Sequence, residues 1–217
     1  MLFLLRASHI GPTAAVTFIS FLLATSLWWE GPAFVIAFGV FLGQLLVGWS
    51  NDLNDYPDDL KHNRTSKPLV SGGVSSKQLL LAVKICAPFA IIFNLFGPLG
   101  IKGGLIYLFG VGMGVTYNFY FKFNIFSPLP YAVAFAILPS CMAYSQDKTP
   151  PTWMWLGGAL FGMAAHFLNV LKDMDQDHAS GIKGLPQRCG KTGSIIAATI
   201  LIAFGVTLLL LSDLTLR

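Results

Sequence analysis

Seven stretches of the chain stay apolar long enough to form membrane-crossing helices: residues 10–29, 32–50, 78–96, 103–121, 127–145, 153–171 and 194–211. About 20 residues of helix are needed to cross ~30 Å of hydrocarbon. None of the stretches alternates as a barrel strand would, and only helices or closed barrels satisfy backbone polar groups in lipid. The pattern predicts an all-α, polytopic transmembrane bundle of about seven helices, formed as a single domain over residues 1–217. The first stretch follows Arg6 and is long enough to be a retained helix rather than a cleaved signal.

Composition agrees. The chain is 54% hydrophobic and 11% charged, with mean hydropathy +0.66, whereas soluble domains carry about 25% charged residues. If the N-terminus is cytoplasmic, Arg6, Lys61, Arg64, Lys67, Lys77, Lys84, Lys122, Lys172, Lys183, Arg188 and Lys191 fall inside and only Lys102, Lys148 and Arg217 outside, as the positive-inside rule requires. The net charge of +4 thus reflects topology, and nothing calls for nucleic acid. Cys86, Cys141 and Cys189 form no ligand spacing. The first two read as small core residues of apolar helices.

The two long polar segments, 51–77 and 172–193, follow the second and sixth apolar stretches, so both are expected on the cytoplasmic side, and their separation suggests an internal repeat of four helices. Of ten acidic residues, seven sit in two short windows there: Asp52, Asp55, Asp58 and Asp59, then Asp173, Asp175 and Asp177. On a continued second helix, Asn51, Asp52, Asp55 and Asp59 share one arc, with Pro57 a source of bending. On a continued sixth helix, Asp173 and Asp177 share a face and Asp175 points away. Carboxylates at this density repel one another unless a cation or protons neutralise them. Mg²⁺ suits the role because it takes one or two carboxylates together with phosphate oxygens and water, and two such ions facing one cavity would hold a diphosphate. Arg64 and Lys67, fixed just behind Asp59, are suited to phosphate oxygens.

The spacing Asp173-x-Asp175-x-Asp177 also copies the start of an EF-hand loop, but His178 and Gly184 stand where Gly and Glu are required. A divalent-cation transporter would likewise cluster aspartates, although transport sites usually lie near the midplane on broken helices, and these acids stand at helix ends. CDP-alcohol phosphatidyltransferases, another class of Mg-dependent membrane lipid transferase, use an Asp-x-x-Asp-Gly-x-x-Ala-Arg signature. Here Asp55 and Asp58 are followed by Asp59 and no Ala-Arg.

The run Asn51-Asp52-x-x-Asp55-x-x-x-Asp59, continued by Arg64-Thr65-Ser66-Lys67-Pro68-Leu69, resembles the first signature of the UbiA superfamily of intramembrane prenyltransferases. Asp173-x-x-x-Asp177-x-x-x-Gly181-Ile182-Lys183 resembles the second. The resemblance implies a helical bundle around a cavity open to lipid. It implies that Mg²⁺ is held by Asn51, Asp52, Asp55, Asp59, Asp173 and Asp177, with Asp55, Asp173 and Asp177 carrying catalysis. It makes Asn51, Arg64, Lys67 and Lys183 contacts of a prenyl diphosphate donor. The implied reaction moves the prenyl group to a hydrophobic or aromatic acceptor within the membrane lipid, a transfer of an alkyl or aryl group other than methyl. Family members usually have nine helices, so the last two are expected to be missing from this chain. Rings such as Trp49, Tyr117, Phe119, Tyr120 and Tyr131 read first as packing and second as cavity lining for a cationic intermediate. Asn118, Asn169 and His166 read as interhelical hydrogen-bonding groups no less than as site groups.

Overall fold

The structure is a computed structural model that describes residues 2–213, so Arg217, assigned above to the outer side, lies outside the described residues. Among these residues the chain forms α1 (Leu2–Ala7), α2 (Ile10–Thr25), α3 (Glu30–Lys61), α4 (Ser76–Phe96), α5 (Gly100–Phe119), α6 (Pro128–Tyr144), α7 (Thr152–Val170), α8 (Met174–Ala179) and α9 (Leu185–Leu211). The seven long helices, α2 to α7 and α9, correspond to the seven apolar stretches. Of these, α3, α4 and α9 are long and apolar enough to cross a membrane by length and composition. The fold is an all-helical membrane bundle.

Which side chains point outward shows the solvent. Leu80, Leu81, Ile85, Phe89, Ile92 and Phe96 are exposed on α4, as are Ile195, Ile196, Ile200 and Phe204 on α9. An apolar surface of this extent is an aggregation liability in water and an ordinary surface in lipid. Inside, large apolar residues such as Leu45, Trp49, Leu79 and Phe167 are buried together with small and polar ones such as Ala33, Ala90 and Asn94, the latter a usual feature of contacts between membrane helices. Asn94 donates through Nδ2 to the carbonyls of Ala90 at 2.7 Å and Gly39 at 3.1 Å. Cys86 and Cys141 are buried and Cys189 is exposed.

The chain divides into two compact units, Met1–Val111 and Gly112–Arg217. In the first, α2 and α4 both pack on α3, and the Tyr107 hydroxyl donates to the Val40 carbonyl at 3.0 Å. In the second, α6 and α9 both pack on α7. Each unit is therefore built round a helix that leads into one aspartate motif.

Local signals explain the ends of these helices. Ser75 and Gln78 form a capping box at the start of α4, and prolines occupy the first turns of α6 and α9. Pro57 lies inside α3, which continues to Lys61. Gly190 adopts φ 69° and puts a kink near the start of α9, a conformation glycine reaches without steric cost.

The N-terminal segment is fastened to α3. The Trp49 indole donates to the Leu4 carbonyl at 2.8 Å. Thr13 Oγ1 donates to the Ser8 carbonyl at 2.7 Å and Ser8 Oγ to the Leu5 carbonyl at 2.8 Å. Gly48 makes the approach possible, because a Cβ there would collide with the Ser8 backbone. Gly48→Val is expected to cost about 1–3 kcal/mol, the usual range for overpacking, read as a lower melting temperature in detergent. An unchanged melt would show that the N-terminal segment does not rest on this contact.

Candidate functional site

The first motif occupies the last three turns of α3, and its carboxylates meet bases from the segment just after that helix. Asp52 is 2% exposed, and its Oδ1 accepts from Lys67 Nζ at 2.8 Å and lies 3.1 Å from His9 Nε2. Asp59 is also 2% exposed, and its Oδ1 accepts from Arg64 Nη1 at 2.7 Å. The same Arg64 nitrogen lies 3.4 Å from Asp58 Oδ2, while His62 Nδ1 lies 3.3 Å from Asp58 Oδ1. Asn51 and Asp55 are half-buried, and Asp55 accepts from Asn54 Nδ2 at 3.3 Å.

The return of the chain that brings Arg64 back is set by how α3 ends. Asn63 takes a left-handed conformation, φ 52°. The Arg64 amide bonds the Asp59 carbonyl at 3.0 Å and the Asn63 amide the Leu60 carbonyl at 3.2 Å. This is a Schellman cap, and Asp59 is the residue whose carbonyl closes it.

The second motif departs from the helix expected of it. Asp173 and Asp177 do not lie on a continued sixth helix: α7 ends at Val170 and α8 begins at Met174. The connection is tightened by short-range bonds, Leu171 amide to Leu168 carbonyl at 3.3 Å and Asp173 amide to Val170 carbonyl at 3.1 Å. Asp173 sits at the position before α8 with φ −109° and ψ 2°, a place aspartate favours over a helix interior. The one-turn spacing survives the break, because the Asp177 amide bonds the Asp173 carbonyl at 2.8 Å.

Asp177 then ends α8 as Asp59 ends α3. Gly181 has φ 72°, with the Ile182 amide on the Asp177 carbonyl at 2.9 Å and the Gly181 amide on the His178 carbonyl at 3.1 Å. The Asp177 carboxylate accepts from Gln187 Nε2 at 2.7 Å, at the start of α9. Asp173 is half-buried, with Lys172 Nζ at 4.0 Å, and Lys183 is exposed between α8 and α9. Asp175 points away as expected: its side chain is 83% exposed and pairs with Lys191 at 2.8 Å. The hydrogen bond and charge of Lys191 hold its carboxyl below the usual range.

A profile of the UbiA prenyltransferase family matches residues 13–216. The chain belongs to that family. Its fold is that of a UbiA homolog from Archaeoglobus fulgidus solved bound to GPP and Mg²⁺, with TM-score 0.78 and 16% identity over 98% of this chain and 80% of that one. The same holds for the A. fulgidus homolog bound to DMAPP and Mg²⁺, with TM-score 0.77 and 17% identity over 97% and 79%. It holds also for the apo UbiA homolog from Aeropyrum pernix K1, with TM-score 0.71 and 18% identity over 90% and 75%. No curated protein matches the chain in sequence. As a family member with apolar helices it is an integral membrane protein.

Two polar residues at the motifs, His9 and Gln187, and one buried lysine of unit 2, Lys122, are given no site role by the sequence. His9 reaches Asp52 from 43 residues away, and no local pattern marks that pairing. Gln187 is visible only as the residue after Leu185-Pro186. Lys122, 5% exposed beside Phe123, is marked in the sequence by its apolar neighbours, since a lysine is seldom buried unless paired. His166, which the sequence reads no more as a site group than as a packing one, is fully buried in unit 2 and pairs with Ser127 Oγ at 3.0 Å. That hydroxyl also accepts the Leu185 amide at 3.0 Å. Among the described residues no three His, Cys, Asp or Glu side chains converge to hold a metal unaided.

The Lys67 bond to buried Asp52 is the exchange that most directly tests this electrostatic arrangement. Lys67→Met leaves buried Asp52 with the His9 contact alone and should cost about 2 kcal/mol, the range for a hydrogen bond to a charged group. Adding Asp52→Asn should recover most of that loss. Melting in EDTA, where no added cation replaces the lysine, reads both. A Lys67→Met chain as stable as the original would show that the pair carries no weight.

Proposed function

We propose that this chain is a membrane-embedded prenyltransferase that takes an isoprenoid group from a prenyl diphosphate and attaches it to a hydrophobic or aromatic acceptor, using Mg²⁺ held by the two aspartate motifs. The observation that carries this is the pair of buried carboxylates, Asp52 and Asp59, each held through one oxygen by a base suited to phosphate. All the donors are oxygens, which fits a hard divalent ion. Mg²⁺ is usually held by one or two carboxylates plus substrate phosphates and water.

On this reading Asn51, Asp52, Asp55, Asp59, Asp173 and Asp177 are the metal ligands, with Arg64, Lys67 and Lys183 meeting diphosphate oxygens. Bound Mg²⁺ supplies charge that stabilises the departing diphosphate. Arg64 and Lys67 neutralise Asp59 and Asp52 and can be drawn onto phosphate oxygens once the carboxylates have another cation. The allylic C–O bond breaks, the electron pair leaves with the diphosphate, and the allylic carbon bonds to an electron-rich carbon or oxygen of the acceptor, which loses a proton. Preplaced charges of this kind act most strongly where water is excluded. The motifs are assigned to the cytoplasmic side from the distribution of Lys and Arg. A cation transporter is disfavoured because the acids stand at helix ends: Asp59 lies in the last turn of α3 and Asp173 immediately before α8.

Asp55→Asn keeps shape and polarity while removing one charge from the middle of the first motif. It should slow diphosphate release from a prenyl donor by ~10²-fold or more, on the order of 2.7 kcal/mol. Asp58→Asn, at the edge of the arc, and Asp175→Ala, in an exposed pair, should cost much less. Near-original turnover by a folded Asp55→Asn chain would remove the first motif from the chemistry.

A further inference from the structure

We propose that His9 is a positioning residue for Asp52, holding that carboxylate so that one oxygen remains for the metal; the proposal rests on the metal reading above. His9 Nε2 lies 3.1 Å from Asp52 Oδ1, the same oxygen that accepts from Lys67 at 2.8 Å. Oδ2 accepts no hydrogen bond from any described residue. A carboxylate bonded twice through one oxygen is fixed in rotation and presents the other. Because a carboxylate oxygen accepts, Nε2 carries the hydrogen, which sets the ring tautomer.

Two features show that His9 is placed there by the fold. Its backbone is left-handed, φ 55°, a conformation that is costly for a non-glycine residue and persists only where its surroundings enforce it. The segment on either side is pinned: Ala7 and Ser8 are buried, Thr13 holds the Ser8 carbonyl, Trp49 holds the Leu4 carbonyl, and Gly48 admits the Ser8 backbone. Gly48, Trp49 and Asp52 lie within one turn of α3, so the contacts that seat the segment also aim His9 at the carboxylate. Of the two donors on Oδ1, Lys67 is the one that the diphosphate can draw away. His9, an imidazole on a pinned segment, remains when it does.

Residues that orient metal ligands typically cost 10–100-fold in metal affinity when lost. The test is Mn²⁺ binding, read by electron paramagnetic resonance in the presence of inorganic pyrophosphate, for the full chain and for His9→Phe and His9→Gln. Phe keeps a ring and loses the donor; Gln keeps a donor near the Nε2 position and loses the ring. The expected result is Mn²⁺ affinity weakened about tenfold or more by His9→Phe and kept within about threefold by His9→Gln. Should His9→Phe fail to fold, the comparison of His9→Gln with the original chain decides. Equal affinity for His9→Phe and the original chain, or a loss in His9→Gln as large as in His9→Phe, would overturn the proposal. Absence of Mn²⁺ binding by the original chain would overturn the metal reading itself, and this proposal with it.

Discussion

A carboxylate at the end of a membrane helix has to be neutralised, and the first unit is organised round that requirement. Asp52 and Asp59 are almost wholly buried, and an unpaired charge in such a place is among the most costly groups a protein can carry. Each is met by a base from the segment after α3: Lys67 on Asp52 and Arg64 on Asp59. Replacing a buried ion pair with apolar residues is often neutral or stabilising, so these pairs are weak candidates for mere stabilisation. On the proposed function, their value lies in holding acids ready for a cation and bases ready for an anion at one place.

The two motifs solve the problem of ending a helix in the same way. Asp59 and Asp177 each supply the carbonyl that closes a Schellman cap, four residues before a left-handed Asn63 or Gly181. The spacing from the last aspartate to the glycine of the second signature thus has a mechanical reason: it turns the chain so that the next segment comes back past the acid. In the first unit that brings Arg64 to Asp59; in the second it brings Gln187 to Asp177. Placement of a motif-leading helix between two neighbours, α3 between α2 and α4 and α7 between α6 and α9, repeats the likeness at a larger scale.

Much of this is legible from sequence, because it rests on local pattern. The seven long helices follow from apolar length, and the extension of α3 through Lys61 follows from the arc of Asn51, Asp52, Asp55 and Asp59 despite Pro57. The exposure of Asp175 follows from helical spacing. The break between α7 and α8 is not legible, since neither glycine nor proline marks residues 171–173; only the preference of Asp173 for a helix boundary hints at it. The partners of Arg64 and Lys67 are half legible: their chemistry reads as anion-binding, but that the anions include the motif's own carboxylates requires coordinates. His9 is not legible at all, because its role comes from a contact across 43 residues enabled by Gly48, whose purpose no periodicity reveals.

Whether these acids work through a divalent cation on a prenyl diphosphate is tested most directly by release of diphosphate from a radiolabelled prenyl donor. The purified chain would be assayed in lipid with Mg²⁺, with Mn²⁺ and with excess EDTA. Release of diphosphate and transfer of label to lipid-soluble product are predicted with either metal, and both should be lost in EDTA and recovered when Mg²⁺ is restored. Transfer that continued undiminished in excess EDTA would contradict a metal-dependent mechanism.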